Sequence, residues 1–165
     1  MFGRQIDPAE RHKVLELLIR WSHAMATIDT ATDEIRQFIV DQPLGMQSSE
    51  FENVCLNAVR VVMKIQKDAT NKGFWPALKD KKATKILSEL QANLDKSCVL
   101  QLKLLDLYKL AASAFRSLKE YDAPSLNEMT IANKAFTSVL DDMGLITGKL
   151  AKRYKVAAEE YQGDQ

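Results

Sequence analysis

The sequence is poor in the residues that interrupt helices or cross-link chains. It has six glycines, four prolines and two cysteines in 165 residues. So few turn-forming residues predict a small number of long elements, and two cysteines fit a reducing compartment better than a disulfide scaffold. No apolar run approaches the roughly 20 residues of a membrane-spanning helix, and the first residues lack the apolar segment of a signal peptide. The sequence therefore predicts a soluble, cytoplasmic protein.

The length and composition predict one globular domain. At 165 residues the chain can bury a core of its own, and 46% apolar with 27% charged residues are ordinary values for such a domain. Apolar residues recur at spacings of three and four, and the period-two alternation of strands is missing. We therefore predict an all-α domain over 1–165, with 1–7 and 162–165 frayed.

Capping signals predict four helices. Asp7 followed by Pro8 marks the start of the first, and a serine three residues before a glutamate marks the starts of the second and fourth. The predicted helices run from Pro8 to about Val40, from Ser49 to a C-terminal cap at Gly73, from the Pro76 turn to Tyr121, and from Ser125 to Tyr161. Short connections make neighbouring helices antiparallel, so the predicted architecture is an up-down-up-down antiparallel four-helix bundle with long helices.

The segment 84–121 of the third helix has no proline or glycine and carries two apolar stripes. One stripe is enough to face a bundle core. The second contains Leu94, Cys98, Leu102 and Leu105, which we interpret as an interface with a partner protein, most simply a second copy of the chain. In the alternative, the helix is central enough to bury both stripes within one chain. The first functional hypothesis is thus a protein–protein interaction or scaffolding module that forms a homodimer.

The net charge is only +1, but the charges are unevenly distributed. The end that would join 1–16, 60–85 and 149–165 sums to +7, and the opposite end, 29–52 with 106–128, sums to −6. The second hypothesis is that this basic tip docks on an anionic surface, either membrane headgroups or nucleic acid. Its candidate residues are Lys64, Lys67, Lys72, Phe74, Trp75, Lys79, Lys81, Lys82 and Lys85. A net charge near zero weakens the nucleic-acid version.

The sequence contains no recognisable set of catalytic or metal-binding residues. His12 and His23 are predicted on the outer face of the first helix, where a metal would find no ligand from a neighbouring helix. Histidine-phosphotransfer modules typically carry Lys and Gly three and four residues after their histidine, whereas Ala26 and Thr27 follow His23. We therefore expect a non-catalytic protein with no cofactor, no metal and no small-molecule substrate.

Two pairs of residues have structural interpretations. Cys55 and Cys98 lie on apolar stripes at similar distances from Trp75, which predicts buried thiols at the same height in a helical hairpin, able to face each other. Gly144 and Gly148 coincide with a change of apolar spacing, which predicts a bend or a close helix approach. Their spacing does not match a phosphate-binding loop.

Overall fold

The computed structural model describes residues 5–42, 49–71, 73–116 and 124–162. Within these ranges the chain is all-α, as predicted, with five helices and no strand. The helices are α1 (Pro8–Asp41), α2 (Ser49–Asp68), α3 (Lys81–Arg116), α4 (Leu126–Arg153) and α5 (Ala158–Gln162).

Two predicted helix starts are confirmed by their caps. The Asp7 carboxylate accepts a hydrogen bond from the Ala9 amide at 2.9 Å, and the Ser125 hydroxyl accepts one from the Glu128 amide at 3.0 Å. Each cap satisfies a backbone donor that the first turn of a helix leaves unpaired. Asp7 caps α1 and Gln162 is the last residue of α5, and the fraying of 1–7 and 162–165 stays a prediction. The predictions for 1–4 and 163–165 fall outside the described residues.

The connection between α2 and α3 is longer than predicted. α2 ends at Asp68, so Gly73 is not its C-terminal cap, and α3 begins at Lys81 rather than at Pro76. The Trp75 indole N–H donates to the Ala69 carbonyl at 2.8 Å, which turns the chain back onto the end of α2. The predicted end of the third helix, Tyr121, lies outside the described residues.

The predicted fourth helix is broken into α4 and α5. Lys155 adopts a positive φ of 53°, and its amide donates to the Lys152 carbonyl while the Val156 amide donates to Ala151. These two bonds form a Schellman motif, in which the left-handed position is usually glycine. Sequence periodicity could not predict this stop, because a lysine occupies the position.

Contacts between side chains show how the helices are arranged. The Phe38 and Phe51 rings lie 5.5 Å apart, and Arg20 donates to the Phe74 carbonyl, so α1 and α2 are antiparallel. α3 packs against α2 on one side and against α4 on the other, whereas α1 approaches α4 less closely.

One end of the molecule therefore collects the start of α1, the end of α2, the start of α3 and the end of α4. Arg11 of α1 donates to the Tyr154 carbonyl at 3.2 Å, and Arg153 of α4 pairs with Asp80 just before α3. We call this the basic end, because it joins the segments whose sum was +7.

The core of the described residues has two large clusters, one long and one at the basic end, beside a small third cluster of Leu104, Leu107 and Ala132. The long cluster lies between α1, α2, α3 and α4. The second contains the fully buried Val14, Leu17 and Leu18 of α1, together with Leu150 and Tyr154. Trp75 packs against both clusters, so the connection before α3 joins the two parts of the core.

The facing thiols and one of the two interpretations of the glycine pair need correction, whereas a bend at the glycines stays a prediction. A Cβ atom placed on Gly144 or Gly148 would meet nothing within 4 Å, so neither glycine marks a close helix approach. The hydrogen bond between Gln66 and Asp95 sets the register of α2 and α3, and it displaces Cys55 from Cys98 by about 12 Å along the helices. The two thiols do not face each other, because α3 begins later than Pro76.

Candidate functional site

Seven exposed lysines surround the junction of α3 and α4 at the basic end. We call them the lysine end: Lys79, Lys81, Lys82, Lys85, Lys149, Lys152 and Lys155. The ion pair between Arg153 and Asp80, with Nη2 3.0 Å from Oδ1, holds the start of α3 beside the end of α4. That pair is what brings two groups of lysines together that are more than 60 residues apart in the sequence.

Three carboxylates at the basic end are engaged in internal contacts. Glu10 is buried and accepts a hydrogen bond from the Lys79 amide. Asp80 pairs with Arg153. Glu160 accepts from the Ala157 amide at 2.7 Å and from Arg11 at 2.9 Å, and these two donors lower the pKa of its carboxyl. These three carboxylates are thus bonded to groups other than the lysine ammonium groups.

The lysine ammonium groups themselves are directed to solvent. Among the described residues, none of the seven forms an ion pair. Lys81, Lys82 and Lys85 also lie in the first turns of α3, where the helix dipole disfavours positive charge by a few tenths of a kcal/mol each. The arrangement keeps a concentrated positive charge facing water.

The structure divides the predicted basic tip into two parts. Lys79, Lys81, Lys82 and Lys85 belong to the lysine end, whereas Lys64 and Phe74 line a groove between α1 and α2. Lys67 is exposed on the last turn of α2, and Lys72 lies outside the described residues.

Trp75 lies partly inside the core. Its ring centroid is 6.3 Å from that of Trp21 and 4.9 Å from that of Phe74, and its only polar atom is bonded to Ala69. A half-buried indole with its N–H satisfied suits a structural joint. Docking through Trp75 stays a prediction.

The groove between α1 and α2 has a volume of about 690 Å³. Arg20, His23 and Lys64 supply its basic groups, and Asp68 is its acidic residue. Sequence analysis missed Arg20. The three-residue spacing of Arg20 and His23 places them on one face of α1, which the sequence does show. That Lys64 lies across the groove from them depends on the antiparallel register of α2.

A second groove, of about 510 Å³, separates α1 from α4. Met25, Met143 and Gly144 line it, with Asp29 on the α1 side. Burial, and then the charge of Asp33, raises the pKa of the Asp29 carboxyl. This groove explains why Gly144 meets no neighbouring helix.

Most of the predicted interface on α3 is buried within the chain. Leu94, Cys98 and Leu105 expose at most 2% of their surface, and Leu102 is half-buried against the long cluster. The second apolar stripe therefore needs no partner to cover it, and the intramolecular alternative accounts for its burial. Self-association itself stays a prediction.

The cysteines are buried, as predicted. Both side chains have no exposed surface, and burial raises the pKa of each thiol to about 11. A thiol in this state is a poor nucleophile at neutral pH, because the thiolate is the reactive form.

The described residues contain neither a cluster of metal ligands nor a helix suited to crossing a membrane. No group of three or more metal-ligating side chains lies together there. None of the described helices combines the length and the apolar character that crossing a bilayer requires.

Comparisons with known proteins give no match. No family model, no curated protein and no solved structure is significantly similar to this chain. The function must therefore be argued from the residues and their geometry.

Proposed function

We propose that the chain is a non-catalytic cytoplasmic module, an up-down-up-down helical bundle that docks end-on on anionic membrane headgroups through the lysine end. One observation carries this proposal. Seven exposed lysines lie together at one end, beside carboxylates that are engaged in contacts with other groups.

The charge at this end is sufficient for reversible membrane binding. A basic residue near an anionic leaflet contributes about 1 kcal/mol, and clusters of four to eight such residues are typical of headgroup binding. The acidic end lies roughly 50 Å away along the helices, several times the screening length of about 8 Å at physiological salt. Its negative charges therefore do not oppose docking.

Two features favour headgroups over nucleic acid. Arg11 and Arg153 at this end are held by Glu160 and Asp80, and the exposed cations are lysines, which lack the planar donor pair that reads base edges. The net charge of +1 is also low for a nucleic-acid-binding domain.

Vesicle cosedimentation tests the proposal. Vesicles of phosphatidylcholine with 30% phosphatidylserine should bind the protein, pure phosphatidylcholine vesicles should not, and binding should fall steeply between 50 and 300 mM salt. Reversing Lys81, Lys82 and Lys85 to Glu should abolish binding. The matched control reverses Lys96, Lys103 and Lys134 to Glu, which changes the net charge equally on exposed positions elsewhere.

The proposal would be contradicted by equal binding to neutral vesicles, by equal loss in the two triple variants, or by preference for duplex DNA over the anionic vesicles at equal salt. The last result would assign the lysine end to nucleic acid. A folded protein that binds neither surface would remove anionic docking as a function.

A homodimeric scaffold is the second candidate function. Val99 and Leu110, about half exposed at 55% and 50%, are three turns apart on one face of α3 and could meet a second copy. This is a smaller apolar face than the one the sequence predicted. Sedimentation equilibrium decides: a mass near the 18.6 kDa of one chain at all concentrations would remove the homodimer.

A further inference from the structure

We propose that the groove between α1 and α2 binds a small amphipathic carboxylate, with its carboxylate among Arg20, His23 and Lys64 and its apolar body on the groove floor. This site differs from the lysine end in position, and it would add a small-molecule ligand to a docking module. The shape of the groove, its charge and the contacts of Arg20 all suit such a ligand.

The size of the groove suits a small molecule. Its volume of about 690 Å³ falls in the range of 300 to 1,000 Å³ that is usual for ligand sites. Ala24, Val61 and Ile65 supply an aliphatic floor between the two helices, and Gly73 lies at one end without a side chain that would narrow it. The floor can therefore take an apolar body of moderate width.

The charge of the groove favours an anion. Two permanent cations, Arg20 and Lys64, and the imidazole of His23 line it together with the single carboxylate of Asp68. A carboxylate head group would accept hydrogen bonds from a guanidinium and an ammonium at once, and such charge-assisted bonds are the strong ones. A neutral ligand could accept hydrogen bonds from these donors, but it would lack the charge assistance of a carboxylate.

Arg20 is held in place but not fully used. Its Nη2 donates to the Phe74 carbonyl at 2.7 Å, and its guanidinium carbon lies 5.7 Å from the centre of the Phe74 ring. Its Nε is buried without a hydrogen-bond partner among the described residues. A guanidinium has five N–H donors, and a ligand cannot reach the buried Nε, so it is the Nη donors of Arg20, which lines the groove, that retain the capacity to bind a carboxylate.

Binding would be visible through the aromatic residues beside the groove. Phe74 lines the groove and also contacts Trp75 at 4.9 Å. A ligand that shifts the Phe74 ring would change Trp75 emission, and the Gly73 and Thr27 amides would report on the two sides of the groove in NMR spectra.

The experiment uses decanoate, with decanol and decyltrimethylammonium as probes of the same chain length but neutral and positive head groups. Amide shifts are followed in the full chain, below the critical micelle concentration of each probe. Decanoate should shift resonances of Gly73, Thr27 and the residues around Lys64, and should bind at least about tenfold more tightly than either control. Decanol binding equally well would overturn the carboxylate assignment.

Variants locate the head group. Arg20→Met and Lys64→Met should each weaken decanoate binding by about tenfold, and Asp68→Asn should leave it unchanged or tighten it. Lys96→Met, an exposed lysine on α3, is the matched control and should bind within about twofold of the wild type. Arg20→Met also loses the contact to Phe74 and could unfold. In that case Lys64→Met is the variant that tests the proposal.

Two further outcomes would contradict the proposal. Wild-type affinity in both Arg20→Met and Lys64→Met would show that the cations do not hold the ligand. Shifts confined to Met25, Met143 and their neighbours would place decanoate in the groove between α1 and α4. Neither outcome depends on vesicle binding, so this proposal and the docking proposal can fail separately.

Discussion

The polar contacts of Glu10, Arg11 and Asp80 at the basic end differ in range from those of Arg36 and Gln37 at the opposite end. At the basic end, polar contacts join helices that are far apart in the sequence: Glu10 bonds to Lys79, Arg11 to the turn after α4, and Asp80 to Arg153. At the opposite end, the described contacts of Arg36 and Gln37 run to Asp33 and Asp41 within α1 itself. Local pairs of this kind contribute a few tenths of a kcal/mol.

This difference explains why the positive charge at the basic end is exposed to solvent. At the basic end, Glu10, Asp80 and Glu160 connect different helices while the lysines stay in solvent. At the opposite end, Asp33 and Asp41 bond to residues of their own helix. The basic end is therefore both a structural joint and a charged surface. The predictions below test whether that joint and the core behind it depend on the contacts described.

The largest expected effect comes from charging the core of α3. Leu94→Glu places a carboxylate where 2% of the side chain is exposed, and it should cost at least about 4 kcal/mol and unfold much of the protein. Leu110→Glu, on the exposed face of the same helix, should change stability by less than about 0.5 kcal/mol. Urea unfolding followed by circular dichroism measures both. A folded, monomeric Leu94→Glu variant of a dimeric wild type would instead restore the predicted interface.

The next effect concerns the joint at the basic end. Trp75→Ala should cost about 3 kcal/mol, because the indole contacts both parts of the core. Trp75→Phe keeps most of the ring contacts and loses the hydrogen bond to Ala69, so it should cost only about 1 kcal/mol. Thermal unfolding provides the measurement. An unchanged melting temperature in Trp75→Ala would mean that Phe74 and Trp75 are surface residues, and it would favour docking through them.

Removing one cap at the opposite end should have a smaller effect. Ser125→Ala deletes the acceptor for the Glu128 amide and should cost about 1 kcal/mol. Ser138→Ala, an exposed serine inside α4, is the control and should be neutral or slightly stabilising. Equal effects of the two substitutions, measured by denaturant unfolding, would argue against the cap.

A change of similar size but opposite sign is expected in the turn after α4. Lys155→Gly relieves a left-handed residue in the turn between α4 and α5 and should stabilise by about 1 kcal/mol. Lys152→Gly removes the same charge from the last turn of α4 and should instead destabilise by about 0.5 to 1 kcal/mol. If both variants lose stability, the turn after α4 is not a Schellman motif in solution.

Local chemistry was predictable from the sequence where one residue type determines it. The caps at Asp7 and Ser125 and the burial of both thiols follow from side-chain acceptors and apolar spacing. The break of the helix after Arg153 could not be predicted, because Lys155 takes a conformation that usually requires glycine. The end of α2 at Asp68 could not be predicted either, since it depends on a hydrogen bond from the Trp75 indole to the Ala69 carbonyl.

The candidate sites were only partly predictable for the same reason. Charge counting found the lysines, but the contact between Asp80 and Arg153 decides which of them lie together. The basic groove depends on Arg20 meeting Lys64 across two helices, and no local pattern encodes that register. The second stripe on α3 was visible in the sequence, but its covering by α2 was not.

The most direct test of end-on docking is the distance of each end from the headgroups. Ala77→Cys and Asn127→Cys place a single fluorophore at exposed positions on the basic end and on the opposite end. Both native thiols are buried and, with pKa values of about 11, should resist labelling in the folded protein. On phosphatidylserine vesicles that carry a nitroxide on a fraction of their headgroups, the label at residue 77 should be quenched and the label at residue 127 should not. Equal quenching at both positions, or stronger quenching at residue 127, would contradict docking through the lysine end.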